Sequence, residues 1–303
     1  MKALKVIVAV LFVGIFIASP VAFAATSPSL GTAASFSVLG ETNVTNVPTS
    51  VIGRDVGLSP ATGANYSGIT TSQVGGTIYA VDAFGPSGSV NNPGLLTTAV
   101  NDMMSVWSTG GATGIDQPCT TSWSGTGAKD LTTVSPLGPG VYCADAFLLT
   151  GNLTLSGSGV WIFKSAATLT TSAASSVTGG DPCNIWWRLV SAGTLGTTTS
   201  LEGNILAGTS ITMNTGATLN GRSLAQAAVT MDHNTITGPA CNAALGPTGT
   251  GSGTTTSSTT PGLPNTGLNQ SKAQLPALTI GAVSVSTLAV AFALRKYRSS
   301  FAK

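Results

Sequence analysis

The chain has 303 residues, of which only 7% are charged, and its net charge at pH 7 is +2. From Ala25 to Thr266, however, five basic residues stand against ten acidic ones, so this part carries a net charge of −5 without any basic cluster. That charge balance argues against nucleic acid and anionic lipid as partners.

The N-terminal segment 1–24 has the features of an export signal. Lys2 and Lys5 give a positive start, an apolar stretch runs from Val6 to Ile17, and Ala22-Phe23-Ala24 is a small-residue cleavage site. The alternative, a retained membrane anchor, is disfavoured because the apolar run is short and ends in Ser-Pro. We therefore expect a secreted protein whose mature chain begins at Ala25.

Short strands and one helix are predicted next. The strands are expected around Phe36–Leu39, Val51–Ile52 and Thr77–Tyr79. Asn92 can cap a helix that begins at Pro93. Its apolar stripe consists of Leu96, Ala99, Val100, Met103, Val106 and Trp107. We expect this stripe to pack along the flank of the β-structure rather than to line a ligand pocket.

Four cysteines lie in the exported part: Cys119, Cys143, Cys183 and Cys241. An even number of cysteines in an oxidising compartment indicates disulfides, and four cysteines allow three pairings. We favour Cys119–Cys143 together with Cys183–Cys241, because the second bond would clasp the start of the repeat described below to its end. With no CxxC motif and one histidine, neither a metal nor another cofactor is expected.

Further short strands are predicted at Phe147–Leu149, Leu153–Leu155, Val160–Phe163 and Thr168–Thr170. If the leucines of these strands face inward, alternation turns Thr154, Thr168 and Thr170 outward. These threonines could extend the surface formed by the repeat that follows.

The stretch from Trp186 to Thr237 repeats itself with a fixed 18-residue period. Gly193-Thr194-Leu195 falls on Ile211-Thr212-Met213 and on Val229-Thr230-Met231, Leu201-Glu202-Gly203 on Leu219-Asn220-Gly221, and Leu206-Ala207 on Leu224-Ala225. A fixed period with alternating apolar residues is typical of a β-solenoid. One turn of this length gives a perimeter of roughly 60 Å, enough for three short strands and their corners. The fold class predicted is an all-β solenoid, a parallel β-helix.

Two outward columns follow from the alternation. One consists of Ala192, Ser210 and Ala228, and the other of Thr194, Thr212 and Thr230. Rungs lie ~4.8 Å apart and outward residues of one strand ~6.7 Å apart. Since β-branched threonines adopt few rotamers, we expect a flat, stiff, uncharged grid. Such a grid suits a regular, repetitive partner better than a single small molecule.

The C-terminal part consists of a predicted linker followed by a segment that resembles a sorting signal. Residues 246–262 are rich in Gly, Thr and Ser and are predicted to be a flexible linker. Leu263-Pro264-Asn265-Thr266-Gly267, an apolar run at 275–294 and a basic tail resemble the LPxTG sorting signal of cell-wall-anchored bacterial surface proteins. That resemblance implies that a sortase joins Thr266 to the cell envelope. The alternative is a retained membrane helix, since ~20 apolar residues can span a bilayer.

Six stretches of the exported part carry a further resemblance: Leu30–Leu39, Gly76–Ala83, Pro139–Tyr142, Val160–Phe163, Gly203–Ala207 and the sequence onward to Ile236. Through them, residues 25–245 resemble the DUF3494 family of bacterial and fungal ice-binding proteins. The resemblance implies a discontinuous right-handed parallel β-helix with one long α-helix alongside. It also implies ice binding through one flat face, carried by Ala192, Thr194, Ser210, Thr212, Ala228 and Thr230, and less directly by Thr154, Thr168 and Thr170. Asp232 departs from the pattern, because a charge would interrupt the face unless it lies at the edge.

Three functions are considered on these features. The first is a monomeric, wall-anchored ice-binding protein. The second is a wall-anchored adhesin for carbohydrate, for which the five tryptophans could supply stacking surfaces, although most of them fall in apolar patterns. The third is an enzyme, which is disfavoured: His233 fits a solvated turn, and no acid pair shows a spacing suited to general acid and base roles.

Overall fold

A computed structural model describes residues 24–108 and 114–241. The predicted export signal to residue 23, the linker, the sorting motif and the apolar run at 275–294 lie outside the described residues. Within the described residues, no helix is both long and apolar enough to cross a membrane.

The described residues form 22 strands, one α-helix and five short 3₁₀ turns. The strands are β1 (Phe36–Gly40), β2 (Asn43–Val47), β3 (Val51–Ile52), β4 (Asp55–Leu58), β5 (Tyr66–Ser67), β6 (Ile78–Ala80), β7 (Val90–Asn91), β8 (Thr121–Asp130), β9 (Gly140–Leu149), β10 (Asn152–Leu155), β11 (Trp161–Ser165), β12 (Leu169–Thr171), β13 (Ser176–Gly179), β14 (Ile185–Leu189), β15 (Gly193–Leu195), β16 (Ser200–Glu202), β17 (Asn204–Ala207), β18 (Ile211–Met213), β19 (Thr218–Asn220), β20 (Ser223–Ala225), β21 (Ala228–Asp232) and β22 (Thr235–Ile236). The helix is α1 (Pro93–Ser108), and the 3₁₀ turns are Gly31–Ser35, Gly63–Asn65, Thr71–Gln73, Leu131–Val134 and Pro182–Asn184.

The strands stack in parallel on three faces of a prism, as a β-helix requires. The first face, which we call the threonine face, runs β9-β12-β15-β18-β21-β2-β5. The second, the helix face, runs β9-β11-β14-β17-β20-β1-β4-β6-β7, and the long β9 passes round the edge between these two faces. The third face runs β10-β13-β16-β19-β22-β3. The predicted solenoid is confirmed.

The coil is discontinuous. The N-terminal strands β1, β2 and β3 do not start the stack but pair with the last turn, β20, β21 and β22. The chain then passes through α1 to the opposite end, begins again at β8 and winds back towards its own first strands. The N-terminal segment therefore closes one end of the prism.

The turns have two lengths. Gly193, Ile211 and Val229 are aligned in adjacent strands, which confirms the predicted 18-residue period. Leu169 pairs with Gly193, so the preceding turn is longer than the turns of the repeat. The extra residues lie in the corners and explain why the repeat is not visible before Trp186.

The helix packs as predicted. Asn92 Oδ1 accepts a hydrogen bond of 3.1 Å from the amide of Leu95 at its start. Leu96, Ala99, Val100, Met103 and Val106 are buried against the helix face in a core cluster separate from that inside the prism. Trp107 is half-buried: its Nε1 donates to the carbonyl of Leu189 at 3.1 Å, and the Arg188 guanidinium lies over its ring.

Both predicted disulfides, Cys119–Cys143 and Cys183–Cys241, are present. Inside the prism, the rings of Trp187, Phe163, Tyr142 and Trp123 stack with centroid distances of 4.2, 5.4 and 5.7 Å along successive turns. This aromatic column and the aliphatic residues around it make a continuous apolar interior under all three faces.

Candidate functional site

A column of five threonines crosses the threonine face. The strand registers align Thr170 with Thr194, Thr194 with Thr212, Thr212 with Thr230, and Thr230 with Thr45. At the spacing of parallel strands, the column is ~19 Å long. Thr170 is exposed and the other four are half-buried, as expected of short side chains standing side by side on a flat sheet.

A second column of small side chains runs beside the first. It consists of Thr168, Ala192, Ser210, Ala228 and Asn43, each two residues before its partner in the neighbouring column. No side chain in either column is charged. The two columns together form a neutral strip of methyl and hydroxyl groups.

The five hydroxyls of the threonine column are free within the described residues, since no side-chain hydrogen bond there involves Oγ1 of Thr45, Thr170, Thr194, Thr212 or Thr230. By contrast, the third face uses many of its polar groups internally. Asn220 Nδ2 donates to Glu202 Oε2 at 2.7 Å, and Asn220 Oδ1 accepts from the Thr237 hydroxyl at 2.6 Å. The threonine column is thus an unbroken row of five hydroxyls that remain available to a partner.

The strip is held by a packed interior. Ile211, Met213, Val229 and Met231 alternate with the outward residues and are no more than 1% exposed. Parallel neighbours on both sides hydrogen-bond each central strand, so neither backbone nor side chain can adjust independently. The side chains are therefore placed before any partner arrives.

These features agree with the comparisons with known proteins. A family model described as Ice-binding-like matches residues 38–237. An ice-binding protein of Flavobacterium frigoris (strain PS1) is 41% identical over 218 residues, covering 70% of this chain and 76% of that protein. One of Nostoc sp. (strain HG1) is 40% identical over 222 residues, covering 70% of this chain and 75% of that protein.

A solved structure is similar as well. The ice-binding protein from the Antarctic ascomycete Antarctomyces psychrotrophicus matches with a TM-score of 0.59 and 33% identity, covering 71% of this chain and 100% of that one. The chain belongs to the ice-binding-like family. The resemblance stated from the sequence is confirmed at that level, and the matched range contains every residue of the two columns.

Within this ice-binding-like domain, the structure brings eight of the nine candidate residues onto one face. Thr168 and Thr170 extend the two columns by one strand, beside Ala192 and Thr194. Thr154 does not share this face, so the expectation that it extends the same grid was wrong. Its neighbour is Thr178, in β13 of the third face. Alternation shows that Thr154 points outward but does not show which face it points from.

Thr45 was missed from the sequence. It lies in β2, which reaches the face only because the N-terminal segment folds back onto β21. The β-branched residues Val44, Thr45 and Val47 are the local signal, and they predict at most a strand. Parallel pairing between residues so distant in the chain leaves no periodic trace.

Asp232 lies at the edge of the face. It follows Thr230 by two residues and turns toward the corner, where its carboxylate accepts hydrogen bonds from the Thr215 hydroxyl and from His233 Nδ1. These bonds, that from Thr215 first, hold the pKa of Asp232 below its usual value. The carboxylate is thus engaged by the corner and leaves the two central columns neutral.

The Thr215, Asp232 and His233 group does not have the arrangement of a nucleophilic triad. The aspartate sits between the other two, so the histidine does not contact the hydroxyl that it would have to activate. His233 has a φ of 54°, which fits the predicted turn. Among the described residues, no cluster of three or more His, Cys, Asp or Glu side chains could hold a metal ion.

The tryptophans do not form an exposed platform on the domain. Trp161, Trp186 and Trp187 are buried, and Trp107 and Trp123 are half-buried with a cation over each ring. Stacking of a sugar on these rings would first require displacing Arg188 or Lys129.

Proposed function

We propose that this chain binds ice through the threonine face. The observation that carries the proposal is the in-register column of Thr170, Thr194, Thr212, Thr230 and Thr45, with hydroxyls that the fold leaves unused. Supporting it, the chain shares a family with proteins named ice-binding.

Binding follows from a rigid match between two regular surfaces. Methyl and hydroxyl groups at fixed spacing order the adjacent water into a layer compatible with ice, and that layer joins the crystal. Each contact is weak, but many act together at little cost because the side chains are already placed. A charged strip would instead hold its own hydration shell, which explains the value of the neutral columns. Adsorbed molecules then force ice to grow as curved fronts between them, which slows or stops growth.

The proposal also includes a location, the outer surface of the cell. An export signal at 1–24 and the LPxTG-like signal at 263–303 favour display on the cell envelope, with the linker at 246–262 giving the domain reach. A tethered ice binder could attach a cell to ice or shape the ice near it. Deleting residues 263–267 is expected to keep the protein out of the wall fraction, because the sortase then has no motif to cut, and retention in the wall fraction would contradict sortase anchoring.

Ice-affinity partitioning of the purified mature chain, with thermal hysteresis measured in parallel, tests the function. We expect the protein to be enriched in the ice fraction and to depress the freezing point below the melting point. Exclusion from ice together with binding on a glycan array would favour the carbohydrate adhesin instead.

A further inference from the structure

The C-terminal end of the described domain leaves the prism at one defined edge. Cys183 lies in the corner between β13 of the third face and β14 of the helix face, and Cys241 is bonded to it. In a prism with three faces, the edge shared by the helix face and the third face is the one opposite the threonine face. The exit point is therefore on the far side of the molecule from the proposed ice contact.

Residues 237–241 run along this edge before they reach Cys183. The amides of Thr237 and Gly238 donate to the carbonyls of Leu219 and Gly221, and the Pro239 carbonyl accepts from Arg222. The segment therefore passes back over corners of earlier turns. It is held there by single hydrogen bonds that follow one another in sequence.

Arg222 is the buried support of this edge. Its guanidinium is 1% exposed and donates to Pro239 O at 2.7 Å, Ala34 O at 2.9 Å and Asn204 Oδ1 at 2.9 Å. Asn204 in turn donates to the carbonyl of Pro182, beside Cys183. Burial lowers the pKa of Arg222 to about 10, so it remains charged at neutral pH. One side chain thus joins the exit segment, the N-terminal segment and an inner turn.

A pull on the C-terminal tether would act on this edge. Without the disulfide, tension would break the bonds at Pro239, Gly238 and Thr237 one after another. It would then pull β22 from between β19 and β3, and β21 from between β18 and β2. Thr230 lies in β21, a short distance before Cys241 in the chain, so this unravelling would soon reach the threonine face. With the disulfide, tension also enters at Cys183, which precedes Thr194 by an equally short distance. The load is then shared by two turns at opposite ends of the repeat.

We propose that the Cys183–Cys241 disulfide is a mechanical clasp that lets a tethered domain hold ice under load. The bond closes a segment of 58 residues that contains Thr194, Thr212 and Thr230, and it fixes Cys241, the last described residue, on the side opposite the face that they form. Its role is distinct from that of Cys119–Cys143, which lies near the β8 end and outside this path. This inference rests on the proposed ice binding and tethering.

The test compares detachment from ice under a pull applied to the C-terminal end of the full mature chain. We expect the Cys183→Ser/Cys241→Ser double variant to detach at a lower force than the wild type. Before detachment it should lengthen by ~40 Å, the extended span of the chain between Thr230 and Cys241. Its thermal hysteresis free in solution should equal that of the wild type. The Cys119→Ser/Cys143→Ser double variant is the matched control and should hold like the wild type.

A second measurement tests the clasp if the Cys183→Ser/Cys241→Ser variant fails to fold. A thiol reductant is added to Cys119→Ser/Cys143→Ser molecules already adsorbed on ice, with and without load. Lengthening and early detachment are expected only under load. Equal detachment forces before and after reduction would overturn the clasp.

Failure of the two proposals can be told apart. If the wild type does not adsorb to ice at all, the proposed function fails. The clasp is then tested by holding the domain through a chemical attachment at position 212, in place of ice, while the C-terminal end is pulled. If the wild type adsorbs and reduction changes nothing under load, the clasp fails and ice binding stands.

Discussion

The decisive substitution is at the centre of the threonine column. In Thr212→Tyr, an aromatic ring rises above neighbours that lie ~4.8 Å away along the column and ~6.7 Å away along the strand. The ring would keep ice from Thr212 itself and from Thr194, Thr230, Ser210 and Asn214. If each of these five side chains contributes about 0.5–1.5 kcal/mol, the loss is at least ~2.5 kcal/mol. That corresponds to adsorption weakened by at least ~60-fold.

The chain offers a matched control in the same turn. Thr218→Tyr makes the same change at an exposed position of β19 on the third face. Tyrosine is well tolerated in strands, and exposed substitutions usually change the free energy of unfolding by no more than about 0.5 kcal/mol. Both variants should therefore unfold at the temperature of the wild type.

The assignment of the threonine face is tested by ice partitioning and thermal hysteresis of the two variants, measured at equal concentration. Thr212→Tyr should stay in the liquid and lose its hysteresis, whereas Thr218→Tyr should behave like the wild type. The assignment of the face is refuted if a folded Thr212→Tyr keeps full hysteresis, or if Thr218→Tyr loses as much.

Three further predictions concern the scaffold. Gly221→Ala would drive a Cβ into the backbone carbonyl of Gly203, so it should lower the melting temperature sharply, whereas Gly138→Ala, with nothing within 4 Å, should not. Arg222→Met leaves buried carbonyls without donors and should lower the free energy of unfolding by about 3 kcal/mol in denaturant titrations. At Asp232, the bond from Thr215 lowers the pKa, so its stabilisation is complete above the usual value of 3.8 and is lost as pH falls through the lowered pKa. Unfolding followed from pH 5 to pH 2 should show a smaller acid-dependent loss in Asp232→Asn, and an unchanged acid profile would contradict this assignment.

Local sequence patterns were enough to predict the helix and many of the strands, but not which strands lie next to each other. The cap at Asn92, the stripe of α1 and the alternation in β15, β18 and β21 depend on residues close in sequence, and all of them are confirmed. The 18-residue period also aligned Thr194, Thr212 and Thr230, because equal turns place equal positions on the same face.

The prediction failed where turns differ in length or the chain restarts. Thr154 was assigned to the wrong face because the face depends on how many residues each corner takes up, and the turns here are longer than those of the repeat. Thr45 was missed because β2 joins β21 across a large part of the chain. The exposed β8, rich in Gly and Ser, carries no apolar alternation and was not predicted as a strand.

Most carboxylates of the domain are used by the fold, in contrast to the hydroxyls of the threonine column. Those of Asp55, Asp82, Asp102, Asp130, Asp145 and Asp181 accept backbone amides at turns and corners, and those of Asp116, Glu202 and Asp232 are bonded to side chains. The hydroxyls of the threonine column have no such use in the described residues. A row of solvent-facing threonines could be explained as favourable strand surface alone. That explanation accounts for β-branched residues, but it does not require five hydroxyls to be in register and unpaired, and binding to an ordered neutral surface does.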